Sequence, residues 1–270
     1  MIESGAGSAR ARVLVAAAGF ALATAFGTGV AGAGPAADAP RAPAATTIGV
    51  LYFDYGGKNA ELEPLSKGLA QMLISDLAAV ETIRVVERER LQAVLDEQKL
   101  GRGGKIDGRT AARIGKLLGA RYLVLGTYFD AMGAFRADAR LVNVETGQIV
   151  KSIGANGKAE DFMSLEQTLA EGLCKAAAEL PPPPAGAGRK EPGGGHTAGE
   201  HGVAKPPVPP PRKPPKPPHG LKASTAVTYG KALAAADVGD RKQATSLFKS
   251  VLADQPDFEL AQRDLDKLIQ

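Results

Sequence analysis

The sequence predicts an α/β domain with a mixed sheet and packed helices, followed by a proline-rich linker and a small all-α segment. Three observations lead to this prediction. Residues 46–180 alternate between strand-like and helix-like patterns. Residues 181–220 hold 14 of the 19 prolines, and residues 221–270 show only helical periodicity. The predicted divisions are therefore 1–33, 34–45, 46–180, 181–220 and 221–270, namely a signal peptide, a flexible segment, the α/β domain, a disordered linker and a helical repeat.

The α/β domain is predicted to run β-α-β-α-α-β-β-β-α, an alternation typical of a layered fold. Its first strand is rich in β-branched and aromatic residues and ends at Gly56-Gly57, whereas the segment after it has apolar residues at helical spacing. The segment Arg121–Asp130 reads as a continuous apolar strand, as expected for a strand buried on both faces. The predicted segments in order are 46–55, 61–80, 83–87, 88–98, 109–119, 121–130, 135–144, 148–155 and 161–180.

Local signals define the remaining elements. Phe135, Ala137, Ala139 and Leu141 alternate along one face of a strand, and the following Glu-Thr-Gly predicts a hairpin turn. Asp161 is placed to cap the last helix of the domain. The tail predicts a helix ending at Gly239, a second over 241–253 and a third opened by proline.

The N-terminus predicts export. Arg10 and Arg12 precede an apolar run, Val13–Phe26, and small residues follow at Ala31–Ala33. This is the layout of a secretory signal cut near Ala33, with an uncleaved anchor as the alternative. The absence of a cysteine near the cut argues against lipidation. The single cysteine, Cys174, rules out an intrachain disulfide and is predicted to be a small core residue.

The net charge of +4 lies entirely in residues 181–220, which carry six Lys/Arg and two Glu. The remainder is neutral in sum and offers no electrostatic signature of nucleic-acid binding. The linker is predicted to be an extended, semi-rigid spacer. Contact of its lysines with peptidoglycan or another anionic surface is left open beside a purely spacing role.

No catalytic, metal-binding or cofactor-binding pattern emerges. Glu87 and Glu89 could form an acid–base pair, but Arg88 and Arg90 neutralise them, which favours a solvated strand-to-helix junction. The three histidines all lie in the linker, and the loop around Gly104 departs from a phosphate-binding loop because Ile106 follows the lysine. The sequence therefore predicts a protein that is not an enzyme and uses no cofactor.

Two sets of residues carry a resemblance to known proteins. The pattern V-x-R-x-x-L-x-x-x-L-x-E-Q, an apolar helix with two glycines, a strand and a Gly turn follow one another in the α/β domain. Its members are Val86, Arg88, Leu91, Leu95, Glu97, Gln98, Gly115, Gly119, Gly126 and Gly147. This series resembles the CsgG-like family of exported bacterial envelope proteins over about 135 residues and, more loosely, FlgO, LpoB and the N-terminal domain of TolB. The tail is similar to a tetratricopeptide repeat through Gly239, Ala244, Phe248 and Pro256.

The resemblance implies a periplasmic adaptor or assembly protein that binds envelope proteins and could associate with the outer membrane. Two alternatives stay open: an oligomeric secretion-channel component of the curli type, and an LpoB-like regulator of a cell-wall synthase. The loop after Leu100 and the gap between Phe129 and Phe135 are too short for membrane-crossing hairpins, which favours a domain without a channel. The linker is expected to hold the helical repeat at a distance from the α/β domain, with homo-oligomerisation open.

Overall fold

The computed structural model describes residues 45–99, 108–182 and 220–270. The predicted signal peptide, most of the flexible segment, the loop around Gly104 and the linker from 183 to 219 lie outside these residues. The described strands are β1 (Thr46–Val50), β2 (Asp54–Tyr55), β3 (Ile83–Val85), β4 (Tyr122–Ala131), β5 (Ala134–Asn143) and β6 (Ile149–Lys158). The described α-helices are α1 (Leu65–Leu77), α2 (Arg88–Glu97), α3 (Gly108–Leu118), α4 (Phe162–Ala178), α5 (Ala223–Asp237), α6 (Arg241–Asp254) and α7 (Glu259–Ile269).

The strands form one mixed sheet in the order β3-β1-β4-β5-β6, with β2 pairing alongside β4. Strand β1 runs parallel to β3 and β4, whereas β4, β5 and β6 are successively antiparallel. The predicted mixed sheet and its packed helices are thereby confirmed. One difference lies in the first strand, which was predicted to be continuous but breaks over residues 51–53. Phe53 turns into the core there because Gly126 of β4 leaves room for its ring, where a Cβ atom would lie 2.1 Å from the ring.

Helices cover both faces of the sheet. Val124 of β4 belongs to the core beneath α1 and α4, whereas the adjacent Leu123 belongs to a second core beneath α2 and α3. Alternation along the strand thus assigns neighbouring residues to opposite layers. The predicted face of β5 is buried as expected, since Phe135 and Leu141 are at most 4 % exposed.

The helical segment packs directly on the α/β domain. The described residues all belong to one compact unit, in which α5 lies against α1. The expectation that the repeat stands at a distance is therefore wrong. Two glycines explain the close packing: a Cβ atom on Gly230 of α5 would lie 1.9 Å from the Pro64 carbonyl, and one on Gly68 of α1 would lie 3.0 Å from the Ala226 carbonyl. A helical hairpin too small to bury its own apolar face buries it here against α1.

Candidate functional site

The β4–β5 hairpin ends in a turn that exposes a large apolar side chain. Met132 and Gly133 have φ angles of 50° and 79°. Positive φ at both central positions is the requirement of a type I′ turn, for which Asn-Gly is the favoured pair. Met adopts this backbone at a steric cost, yet the Met132 side chain is fully exposed and gains no burial. Met132 thus violates local preference without a folding benefit, which marks the turn as a functional candidate.

A surface cleft of about 550 Å³ lies beside this turn. Its lining residues are Gly56, Gly57, Lys58, Asn59, Phe129 and Asp130. Phe129 is 41 % exposed and lies on the same hairpin as Met132, three residues before it. We call Met132, Gly133 and Phe129 the hairpin tip, and the adjoining cavity the tip cleft.

The Tyr55 phenol connects two residues that line the tip cleft, Asp130 and Asn59. The Tyr55 hydroxyl donates a hydrogen bond to the Asp130 carboxylate and accepts one from the Asn59 backbone N–H at 3.1 Å. Desolvation and the bond to Asp130 raise the pKa of Tyr55, so the phenol stays protonated and remains a donor. A Cβ atom on Gly57 would lie 2.2 Å from the same hydroxyl, so a larger residue there would displace the Tyr55 phenol or the Asp130 carboxylate.

The hairpin tip combines flexible apolar groups with a polar cleft. Lys58 and Asp130 supply one charge of each sign, while Met132 and Phe129 supply polarisable apolar surface. Exposed Met and aromatic side chains are characteristic of protein-docking surfaces. This arrangement suits recognition of a protein surface.

The predicted strand-to-helix junction differs from expectation at one residue. Glu87, Glu89 and Arg90 are exposed, as a solvated junction requires, but Arg88 is 4 % exposed. Its guanidinium Nη1 donates to the Asp237 carboxylate at 2.5 Å. The expectation that Arg88 is solvated is wrong because its partner lies 149 residues further along the chain, on α5.

The ion pair is reinforced by neighbours from the α/β domain. The Lys67 ammonium lies 2.6 Å from the same carboxylate and also donates to Gln92 at 3.0 Å. Burial alone would lower the pKa of Arg88, but the facing Asp237 carboxylate outweighs it and the pKa is raised. Arg88 therefore stays charged and joins the two helical layers.

The other motif residues of the α/β domain have structural environments. Val86, Leu91 and Leu95 are buried in the core beneath α2 and α3, whereas Glu97 is exposed and Gln98 ends α2. Gly115 lies so close to the residue that follows β5 that a Cβ atom would lie 2.6 Å from the Val144 side chain. The remaining motif glycines are Gly119 and Gly147, with φ of 66° and 70°, and Gly126, beside Phe53. Nothing in the structure assigns chemistry to this set.

The residues of the repeat pattern build the helical hairpin. Gly239 has a φ of 78° between α5 and α6, and Ala244 and Phe248 are buried. The Phe248 ring lies 6.0 Å from the ring of Tyr229 on α5. Pro256 is exposed in the turn before α7.

A buried acid that the sequence reading did not identify lies between α1 and α4. Glu166 is 0 % exposed, and among the described residues neither carboxylate oxygen has a hydrogen-bond partner of regular geometry. Burial raises its pKa well above the ordinary value, and the nearby Asp76 carboxylate raises it further. Cys174, predicted to be a core residue, is half-buried beside them, and burial raises its thiol pKa to about 11. The Glu166 carboxylate lies beneath the surface and is unsuited to contact a substrate.

Two residues of functional interest were missed, although signals existed. Met-Gly stands where a two-residue hairpin would favour Asn-Gly, and this points to Met132. Asp237 ends a helix, where a carboxylate opposes the helix dipole, and this points to a cationic partner elsewhere. Within 45–99, 108–182 and 220–270, no group of three or more potential metal ligands occurs, and none of the helices there has the length and apolarity to cross a membrane.

Comparison with known proteins gives one family. Residues 44–133 match the family described as "Curli production assembly/transport component CsgG". None of the curated proteins matches the chain.

Solved structures of low identity also resemble the chain. The LpoB C-terminal domain from Salmonella enterica is 18 % identical, with 44 % of this chain and 87 % of that chain covered and a TM-score of 0.35. Lipoprotein GNA1162 from Neisseria meningitidis is 16 % identical, with 42 % and 80 % covered and a TM-score of 0.33. The PelC dodecamer from Paraburkholderia phytofirmans is 14 % identical, with 51 % and 92 % covered and a TM-score of 0.28. Over residues 44–133, the chain is therefore similar to the CsgG family of curli production assembly/transport components.

Proposed function

We propose that this protein is a non-enzymatic adaptor of the bacterial envelope, exported to the periplasm, that docks an envelope protein through its hairpin tip. The observation that carries the proposal is Met132, a fully exposed apolar side chain held at positive φ. The family match supports the envelope context. The docked partner would cover Met132 and Phe129 and reach Lys58 and Asp130 in the tip cleft.

The packing of the helical segment supports an adaptor with fixed surfaces. Glycine contacts join α5 to α1, and the Arg88–Asp237 pair joins α5 to α2, so the helical segment and the α/β domain are packed together. A partner at the hairpin tip and another on the outer surface of α6 and α7 would then be held in a defined relative position.

Site-specific photo-cross-linking in the producing cell tests this proposal. A photoreactive amino acid replaces Met132 in the full chain, and a matched probe replaces Val238, which is 78 % exposed between α5 and α6. We expect a discrete envelope-protein adduct from position 132 and none of the same mass from position 238. Adducts of equal pattern and yield from both positions, or none from position 132, would overturn docking at the hairpin tip.

A second candidate function, assembly of copies into a ring or filament, is favoured by the outer edge of β6. Within the described residues no strand pairs with this ten-residue edge, where Ile149 and Val150 are 55 % and 47 % exposed. Lys151 and Lys158 on the same strand oppose edge-to-edge pairing. Analytical ultracentrifugation of the purified mature chain tests assembly through the β6 edge. A single monomeric species at tens of micromolar removes this candidate. A concentration-dependent oligomer that is lost in Val150→Lys establishes it.

A further inference from the structure

Helix α3 presents cations directly away from the protein. Arg109, Arg113 and Lys116 are exposed, whereas Ala111, Ile114, Gly115 and Leu118 are buried. At 100° per residue, the three cations fall within about 60° of one another and opposite the buried residues. Among the α-helices of the described ranges, α3 alone contains no Asp or Glu.

This charge arrangement is unfavourable for the isolated fold. Arg109 lies in the first turn, where the helix dipole disfavours a cation. It is also four residues from Arg113, a like-charge spacing that destabilises a helix, and Lys116 adds a third cation one turn on. No ion pair joins any of the three to an acid within the described ranges. The three cations of α3 are therefore not compensated by local interactions. Such a departure from local preference is expected at functional sites.

Neighbouring residues extend the positive surface. Leu117, 47 % exposed, flanks Lys116. On β5, the exposed Arg140 pairs in register with Leu125 of β4, on the side of the sheet that α3 covers. The adjoining turn contributes one acid, Glu145. We call Arg109, Arg113, Lys116, Leu117 and Arg140 the basic face; it carries four cations and one large apolar side chain.

We propose that the basic face binds the surface of an anionic phospholipid bilayer. The cations project from a convex helix, so they can meet a plane of phosphates together, and the planar guanidinium forks suit phosphate oxygens. Leu117 lies where it can enter the boundary between headgroups and acyl chains. The inference does not depend on docking at the hairpin tip, because the two surfaces share no residue.

Vesicle binding by the full chain tests the proposal. The probes are phosphatidylcholine vesicles with and without roughly 30 % phosphatidylglycerol, and the variant is Arg109→Gln/Arg113→Gln/Lys116→Gln. Each cation near an anionic surface contributes about fivefold to the partition coefficient, so the triple variant should bind the anionic vesicles about 100-fold more weakly. The charge-matched control is Lys222→Gln/Lys242→Gln/Lys249→Gln, at exposed lysines of the helical segment.

Each outcome of the vesicle experiment either supports or overturns the proposal. Preference of the wild type for anionic vesicles, lost in the α3 variant and kept in the control, supports the proposal. Equal loss in both variants shows that net charge alone acts, for instance through the linker, and overturns it, as does unchanged binding by the α3 variant. The double variant Arg113→Gln/Lys116→Gln, with about 25-fold weaker binding expected, repeats the test if the triple variant does not fold.

Discussion

The Arg88 guanidinium lies 2.5 Å from the Asp237 carboxylate, and both side chains are at most 8 % exposed. This pair joins the first residue of α2 to the last residue of α5. An aspartate at the end of a helix opposes the helix dipole, and desolvation of both charges adds a further cost. Removing either group would leave the other buried without a counter-charge.

Replacing Asp237 by alanine should therefore destabilise the fold strongly. Arg88 would remain buried without its counter-charge, which costs about 3–5 kcal/mol. Urea denaturation of the full chain measures the loss. The matched control is Glu61→Ala, which breaks an exposed ion pair with Lys231 and should leave the midpoint unchanged. Equal effects of the two substitutions would show that Asp237 is not buried against Arg88.

The contact between α5 and α1 gives a second prediction. Gly230→Ala places a Cβ atom 1.9 Å from the Pro64 carbonyl oxygen, and backbone cannot yield as a side-chain tip can. We expect destabilisation of about 1–3 kcal/mol from overpacking, measured by thermal unfolding. Gly108→Ala, with open space around the new methyl group, is the control and should be neutral or slightly stabilising. A neutral Gly230→Ala would mean that α5 does not lie on α1 at this distance.

The sequence predicted the element order well because periodicity is a local property. The alternation from Phe135 to Leu141 and the helical spacing of α1, α3 and α4 are readable within a dozen residues. The break after β1 was missed because it depends on the missing side chain of Gly126, some 70 residues away. Register and bulges arise from such tertiary fits and leave little local trace.

The positions of the helical segment and of Arg88 were misjudged for a related reason. The composition of a proline-rich linker predicts its stiffness. It does not predict where the segment that follows the linker packs. The close approach of α5 depends on Gly68 and Gly230, two glycines that meet only in the folded chain. The same holds for Arg88, whose burial is decided by Asp237.

The buried Glu166 predicts an unusual pH dependence. Its pKa is raised above the ordinary 4.5, so the folded state holds the proton more tightly than the unfolded state. Stability from this group is then fully present at pH below 4.5 and is lost as the pH rises toward the raised pKa. Relative to Glu166→Gln, the wild type should lose unfolding free energy steadily from about pH 4.5 upward.

Thermal melts of both proteins between pH 4 and 8 measure this difference. Glu171→Gln, an exposed substitution on the same helix, is the control and should track the wild type across the range. A constant offset between wild type and Glu166→Gln would mean that Glu166 is not protonated in the folded protein.

At the hairpin tip, we expect a substitution that raises the stability of the fold to weaken docking of the partner. Met132→Asn supplies the residue favoured at positive φ, so the fold should gain about 1 kcal/mol, a rise of about 2–4 °C in Tm. The same change removes the exposed apolar group, so recovery of the partner identified by cross-linking should fall. Val238→Asn removes another exposed apolar side chain, one at negative φ, and should neither raise the Tm nor reduce recovery of the partner. Only at Met132 should partner binding and stability change in opposite directions. A Met132→Asn variant that loses both partner binding and stability would show that the residue serves the fold. A Met132→Asn variant that loses neither would remove the hairpin tip as the docking surface.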